Sequence, residues 1–285
     1  MLASGCSSLI DTPTIISKDV ILISQRNTQI HATFVYPKHQ NVEKLVVFAH
    51  GFGGSQDARG LFSESAQRLS EKGIASIRID FAGHGKSKES MKGYTITYME
   101  DDLETAITYA KTALKISDAH IGIMGYSMGG AAVGMLLERQ TFSAVLLLAP
   151  AIATGYDVAV SLWGNSDRLN RMLKESESDD LISVTAWGEE FVISRVLLQE
   201  LLTIDPLSNI RSYQGNLMMI TGGMDTVIPE TITNQVIVNA IQASMVKHVV
   251  YPQTGHDFGT TSADQNEVVK QAVLHDVETF FATVL

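Results

Sequence analysis

The chain has 285 residues, 45% hydrophobic and 18% charged, which is enough apolar content for a large core and too much for extended disorder. Its formal net charge of -10 at pH 7, with no Lys/Arg-rich run, repels a phosphate backbone and excludes nucleic acid as a partner. No run approaches the roughly 18 apolar residues that span a bilayer, and the single cysteine excludes an intrachain disulfide and a Cys-based zinc site.

That cysteine, Cys6, stands in Leu2-Ala3-Ser4-Gly5-Cys6-Ser7-Ser8, which is similar to the small-residue cleavage box of a bacterial lipoprotein signal. Only Met1 and Leu2 precede the box, where a working signal needs a charged start and about 7–15 apolar residues. Two expectations follow: a cytoplasmic chain whose residues 1–18 are a flexible N-terminal segment, or a cell-envelope lipoprotein anchored at Cys6 behind an upstream signal. Residues 19–285 read as one α/β domain, and nothing in them specifies an oligomeric state.

In chain order, Val20-Ser24 and Gln29-Tyr36 alternate apolar and polar residues around Asn27, the pattern of a half-exposed antiparallel hairpin. Leu45-Ala49, Ile74-Asp80, Ile121-Gly125, Ala144-Ala149 and Leu217-Thr221 are nearly continuous apolar runs, as strands covered on both faces require. Val246-Tyr251 closes the sheet. Helices are predicted at Ala58-Lys72, Thr97-Leu114, Met128-Arg139, Glu230-Ala243 and Gln265-Val284, with Ser55 and Asp57 as candidate N-caps of the first. Strands alternating with helices imply a mostly parallel sheet.

One segment breaks this rhythm. Residues 152–211 separate two buried strands by far more chain than a tight α/β unit needs. The segment carries the acidic run Glu175-Asp180, Trp163, Trp187, Tyr156 and Phe191, and a helical pattern around Glu189-Leu202. A lid over a substrate pocket is expected; a surface excursion without a catalytic role is the alternative.

The motif richest in chemistry is Gly125-Tyr126-Ser127-Met128-Gly129, set between an apolar strand and a helix. A serine on such a sharp turn is held in a strained conformation, and only residues lacking bulk fit two positions to either side. Serine needs a base, and the base needs a carboxylate to hold its tautomer. In the order Ser, then Asp or Glu, then His, Asp225 follows Leu217-Thr221 and His256 follows the last strand in Thr254-Gly255-His256-Asp257. Asp205, before Pro206, competes for the acid's role; Asp257 is too near His256 in sequence to approach its ring from behind. Two backbone donors are expected for a tetrahedral oxyanion, the N–H of Met128 and that of Phe52 in His50-Gly51-Phe52-Gly53-Gly54. His50 is expected to support that loop rather than transfer protons. His31, His39, His120, His248 and His275 lack any motif.

These residues, with Arg78-Ile79-Asp80-Phe81-Ala82-Gly83-His84-Gly85-Lys86-Ser87 and Leu147-Leu148-Ala149-Pro150-Ala151, make nearly the whole chain resemble the α/β-hydrolase superfamily. More narrowly it resembles the lidded branch of serine aminopeptidase-like hydrolases, monoacylglycerol lipases and bacterial cinnamoyl (feruloyl) esterases. The resemblance implies the α/β-hydrolase fold: a mostly parallel eight-stranded sheet flanked by helices, with an inserted lid at about 152–211. It also implies a structural role for the Asp80-Ser87 loop and no catalytic role for His84. Those esterases often carry Gln after the nucleophile, where this chain has Met128; the backbone donor survives that difference.

The implied function is a serine hydrolase that cleaves a small-molecule carboxylic ester, of short-chain or cinnamoyl type, through an acyl-enzyme on Ser127, His256 and Asp225. No metal or organic cofactor is needed for such chemistry. A monoacylglycerol lipase-like or peptidase/amidase activity on the same triad stays open, as does a non-catalytic binding protein of the same fold.

Overall fold

The strands form where β-branched and apolar residues concentrate, because these side chains pack well on a pleated surface. In the computed structural model, residues 14–38, 41–117, 120–153, 155–186, 189–261 and 264–285 are described; Cys6, His39 and Trp187 lie outside them. The chain enters through the hairpin β1 (Ile15–Ile23) and β2 (Gln29–Pro37), with Ile15 opposite Pro37 and Ile23 opposite Gln29. Asn27 turns it at φ 61°. Here the structure corrects the expected domain boundary: residues 15–18 pair along β2 and belong to the sheet, because two-stranded pairing extends as far as β2 offers partners.

There follow β3 (Lys44–Ala49), α1 (Leu61–Glu71), β4 (Ile74–Asp80), α2 (Ile96–Leu114), β5 (Ile121–Tyr126), α3 (Met128–Leu136) and β6 (Ala144–Leu148). The inserted segment holds α4 (Gly155–Trp163), α5 (Ser166–Ser176), the hairpin β7 (Leu181–Ala186) and β8 (Glu189–Ser194), α6 (Arg195–Thr203) and α7 (Pro206–Ser212). The chain finishes with β9 (Asn216–Gly222), α8 (Glu230–Asn239), β10 (Met245–Tyr251) and α9 (Glu267–Val284). The eight-stranded sheet has the order β1-β2-β4-β3-β5-β6-β9-β10. It is antiparallel from β1 through β2 to β4 and parallel from β4 onward.

Alternation along the parallel strands splits the core into two layers. Leu45, Val47, Ile123, Leu147 and Met219 face one side with Met99 and Leu103 of α2 and Ala131 of α3. Val46, Phe48, Met124, Leu146 and Met218 face the other, with Phe62 of α1 and Val277 and Phe281 of α9. Buried residues of the insertion, Trp163, Leu169, Ile193 and Leu197, join the first layer. The insertion is also anchored by charge: Glu200 of α6 accepts the N–H groups of Ile96 (2.6 Å) and Thr97 (3.4 Å) at the N-terminus of α2. A carboxylate there meets the unpaired donors and the positive end of the helix dipole.

Within the insertion the helix expected around Glu189-Leu202 starts late. Residues 189–194 form β8, with Ile193 opposite Ile182 and Phe191 opposite Val184. Phe191-Val192-Ile193 is a β-favouring triplet whose alternation buries Ile193 and exposes Val192, and cross-strand pairing outweighs the weak helical periodicity. Ser194 then caps α6, accepting the N–H of Leu197 at 3.1 Å. Other helix limits shift by local breaks. Ala58–Gly60 is a separate 3-10 turn capped by Asp57, and Gly60 at φ 89° separates it from α1. α3 stops at Leu136, α8 at Asn239, and α9 starts after Asn266, which caps it.

Glu100 on α2 is buried, 4% exposed, and burial pushes its carboxyl up to about 7 against the pull of Arg139 at 3.3 Å. A folded value above the ordinary 4.5 means the native state holds this proton more tightly than the unfolded chain does. Its contribution is full below pH 4.5 and is lost as pH rises through 7. Glu100→Gln is therefore expected to leave stability unchanged near pH 4.5 and to raise it by about 2–3 kcal/mol above pH 8. Urea unfolding at the two pH values checks this; an equal shift at both would contradict it.

Candidate active site

Ser127 sits between the last residue of β5 and the first of α3, at φ 54° and ψ −120°. This conformation favours glycine, and a side chain there stores strain. The surroundings impose it. The Ser127 N–H donates to Leu148 O of β6 at 2.9 Å, and the Ser127 carbonyl accepts from Gly130 (2.8 Å) and Ala151 (2.9 Å). A Cβ on Gly129 would lie 2.1 Å from Ala49 O, and one on Gly125 2.7 Å from Gly130 Cα; both glycines are steric necessities. Ser127→Gly is accordingly expected to be more stable than Ser127→Ala by about 1–2 kcal/mol, since only glycine relieves the strain. Thermal unfolding of the two variants decides it.

Three loops at the C-terminal ends of parallel strands converge on this elbow. His256, after β10, places Nε2 3.0 Å from Ser127 Oγ and Nδ1 2.7 Å from Asp225 Oδ2. Asp225, after β9, spends Oδ1 on the N–H groups of Val227 and Ile228, both at 2.8 Å. Its side chain is 1% exposed and that of His256 13%. A carboxylate facing Nδ1 holds the proton there and leaves the Nε2 lone pair for the serine hydroxyl. The other carboxylates are engaged elsewhere: Asp205 caps α7, accepting the N–H of Ser208 at 3.2 Å, and Asp257 pairs with Arg59 at 3.1 Å.

The third loop, after β3, runs past the serine: a Cβ on Gly51 would fall 2.8 Å from Ser127 Cβ. Two imidazoles brace it. His50 Nε2 accepts the N–H of Phe81 at 3.1 Å while Nδ1 donates to Gly51 O at 2.8 Å. His84 Nε2 accepts the N–H of Gly53 at 3.0 Å while Nδ1 donates to Ala82 O at 2.8 Å. Those partners require neutral rings, and burial supplies them, lowering His50 to about 3 and lowering His84 as well. His50 thus supports the loop as its sequence context implies, whereas the clamp from His84 onto Gly53 was not foreseen. Asp80 locks the neighbouring turn by accepting from Gln56 N (2.8 Å), Gln56 Nε2 (2.8 Å) and Lys86 N (3.0 Å). Met128 contributes the first N–H of α3, one of the donors a helix start leaves without an intrahelical partner.

The Phe52 ring lies among Tyr94 (5.8 Å), Trp163 of α4 (5.8 Å) and Phe191 of β8 (5.1 Å), so the insertion packs directly on the loop beside Ser127. Ser161 of α4 also donates to Val227 O at 2.7 Å. A cleft of about 490 Å³ lies between α4 and α8, lined in part by Tyr156, Val160, Thr226 and Ile232, next to the Asp225 loop. The acidic run of the insertion is partly neutralised, with Asp180 paired to Lys92 and Arg195. Among the described residues no group of three His, Cys, Asp or Glu could hold a metal ion, and no helix is long and apolar enough to cross a membrane.

A parallel sheet entered by an antiparallel hairpin, with a serine on a strand-to-helix elbow and an Asp and a His on the loops of the last two strands, defines the α/β-hydrolase fold. The chain belongs to the Hydrolase_4 family, described as serine aminopeptidase, S33, whose pattern matches residues 40–260. Est1E from Butyrivibrio proteoclasticus, in a structure with ferulic acid bound, is similar with a TM-score of 0.74 at 22% identity, over 93% of this chain and 99% of that one. An esterase from Exiguobacterium antarcticum gives a TM-score of 0.62 at 18% identity, over 92% and 100%. The "Uncharacterized 31.7 kDa protein in traX-finO intergenic region" of Escherichia coli is 30% identical over 156 residues, 52% of this chain and 54% of that protein. The chain spans about half the length of the curated relatives it matches.

Proposed function

We propose that this protein is a serine esterase in which Ser127 is the nucleophile, His256 the base and Asp225 the residue that orients and steadies the imidazole. The observation that carries this is the unbroken line from Asp225 Oδ2 through His256 to Ser127 Oγ, with contacts of 2.7 and 3.0 Å. Ser127 attacks the ester carbonyl as Nε2 takes its proton. The backbone N–H groups of Phe52 and Met128 receive the oxyanion, and the imidazolium returns the proton to the departing alcohol. A water, activated by the same Nε2, then releases the acid and restores the serine.

The segment at 152–211 acts as the lid of this site. Its Trp163 and Phe191 meet Phe52, so the wall beside the oxyanion donors is aromatic, which favours an apolar or aromatic acyl group of short-chain or cinnamoyl type. The likeness to Est1E, whose structure holds ferulic acid, supports the same choice. The test compares kcat/KM for p-nitrophenyl butyrate, methyl cinnamate, a monoacylglycerol and an aminoacyl p-nitroanilide, with a fluorophosphonate probe to report labelling of Ser127. Turnover of the esters with labelling at Ser127 is expected. Preference for the anilide would replace the esterase by a peptidase, and failure of every substrate and of labelling would leave a binding protein.

A further inference from the structure

We propose that Tyr126 is a positioning residue for the base: it tethers the His256 loop to the strand that carries Ser127 and sets the gap across which the proton moves. The inference rests on reading Ser127 and His256 as nucleophile and base, and adds the side chain that holds them in register.

Elbow geometry alone does not call for a tyrosine. Close packing dictates glycine at 125 and 129, and strain concentrates at Ser127, but position 126 carries neither constraint. Its side chain instead crosses to the base. The Tyr126 hydroxyl donates to the His256 carbonyl at 2.7 Å. Its ring lies against the imidazole with centroids 5.4 Å apart and planes at 34°, while Phe258 closes on the same ring edge to face at 6.3 Å.

The need for such a tether follows from topology. β5, which carries the serine, and β10, which precedes the histidine, are separated by β6 and β9, so no ladder hydrogen bond relates them. Asp225 fixes one ring nitrogen, and a single contact leaves the imidazole able to swing about it. Other ties of the loop flank His256: Met224 N–H donates to Thr254 O at 3.0 Å, and the Arg59–Asp257 pair is exposed, a kind of ion pair that restrains little. Tyr126 is one peptide bond from Ser127, so its reach is measured from the same backbone as the nucleophile. A shift of β5 moves hydroxyl, ring and serine together. Burial pushes the phenol upward, so it remains a donor wherever the histidine can serve as a base.

Tyr126→Phe keeps the ring and removes the bond. Because sub-ångström placement governs proton transfer, kcat on p-nitrophenyl butyrate is expected to fall about tenfold with KM changed less than twofold. The thermal midpoint is expected to drop by only a few degrees. Installing p-aminophenylalanine at 126, which offers an N–H at the same reach, is expected to recover most of kcat. The decisive measurement is the cycle with His256→Ala, in which Tyr126→Phe is expected to leave the residual rate unchanged, since the tether has lost what it positions. A wild-type kcat in Tyr126→Phe, or an undiminished tenfold loss in the His256→Ala background, would overturn the proposal. Failure of the underlying reading shows separately, as full activity in Ser127→Ala.

Discussion

Ser127→Ala is expected to lose ester hydrolysis by a factor of about 10³ or more while the fold stays intact. Ser127 is buried, and its hydroxyl accounts for one short contact, to His256 Nε2 at 3.0 Å. Its removal leaves the elbow's backbone bonds to Leu148, Gly130 and Ala151 in place. The strain at φ 54° is common to both proteins, so stability changes little and the loss falls on kcat. What survives reflects the oxyanion donors and substrate binding alone. The check is steady-state hydrolysis of p-nitrophenyl butyrate beside circular dichroism of the same samples. Equal rates in wild type and variant would remove Ser127 from the chemistry and with it the esterase proposal.

Asp225→Asn is the second large effect, expected at about 10³- to 10⁴-fold in kcat. Asparagine keeps an oxygen for the N–H groups of Val227 and Ile228, which Asp225 now satisfies at 2.8 Å, so the loop retains its shape. What reaches His256 Nδ1 is then an amide N–H. The imidazole answers by carrying its proton on Nε2, where it can no longer accept one from Ser127. Asp205→Asn is the matched control. Asp205 caps α7 through Ser208 N–H at 3.2 Å, asparagine caps as well as aspartate does, and activity is expected within about twofold of wild type. A large loss in Asp205→Asn with none in Asp225→Asn would reverse the assignment of the acid.

The architecture was largely legible in one dimension because it rests on local signals. Each of the eight sheet strands shows as an apolar or alternating run. β3, β5, β6 and β9 are nearly continuous apolar runs because they are buried along almost their whole length, and β1 alternates because part of it stays exposed. Gly125 and Gly129 are readable for a steric reason, as any side chain there would strike Gly130 or Ala49. The insertion was legible as an interruption but not in its interior. The strand at 189–194 exists because residues 181–186 pair with it, and cross-strand pairing is not written in the periodicity of either run alone.

The sequence by itself determined the order of the elements outside the insertion, the elbow at Ser127 and a short set of partners for it. Composition, periodicity and glycine spacing are properties that neighbouring residues share. Tertiary structure decided the rest. It brought Asp225 rather than Asp205 to His256, turned His84 onto Gly53, laid Phe191 and Trp163 against Phe52 and carried the Tyr126 hydroxyl to the His256 carbonyl. Each of these contacts joins segments well separated along the chain, and only the packing of the sheet and its helices sets the distance between them.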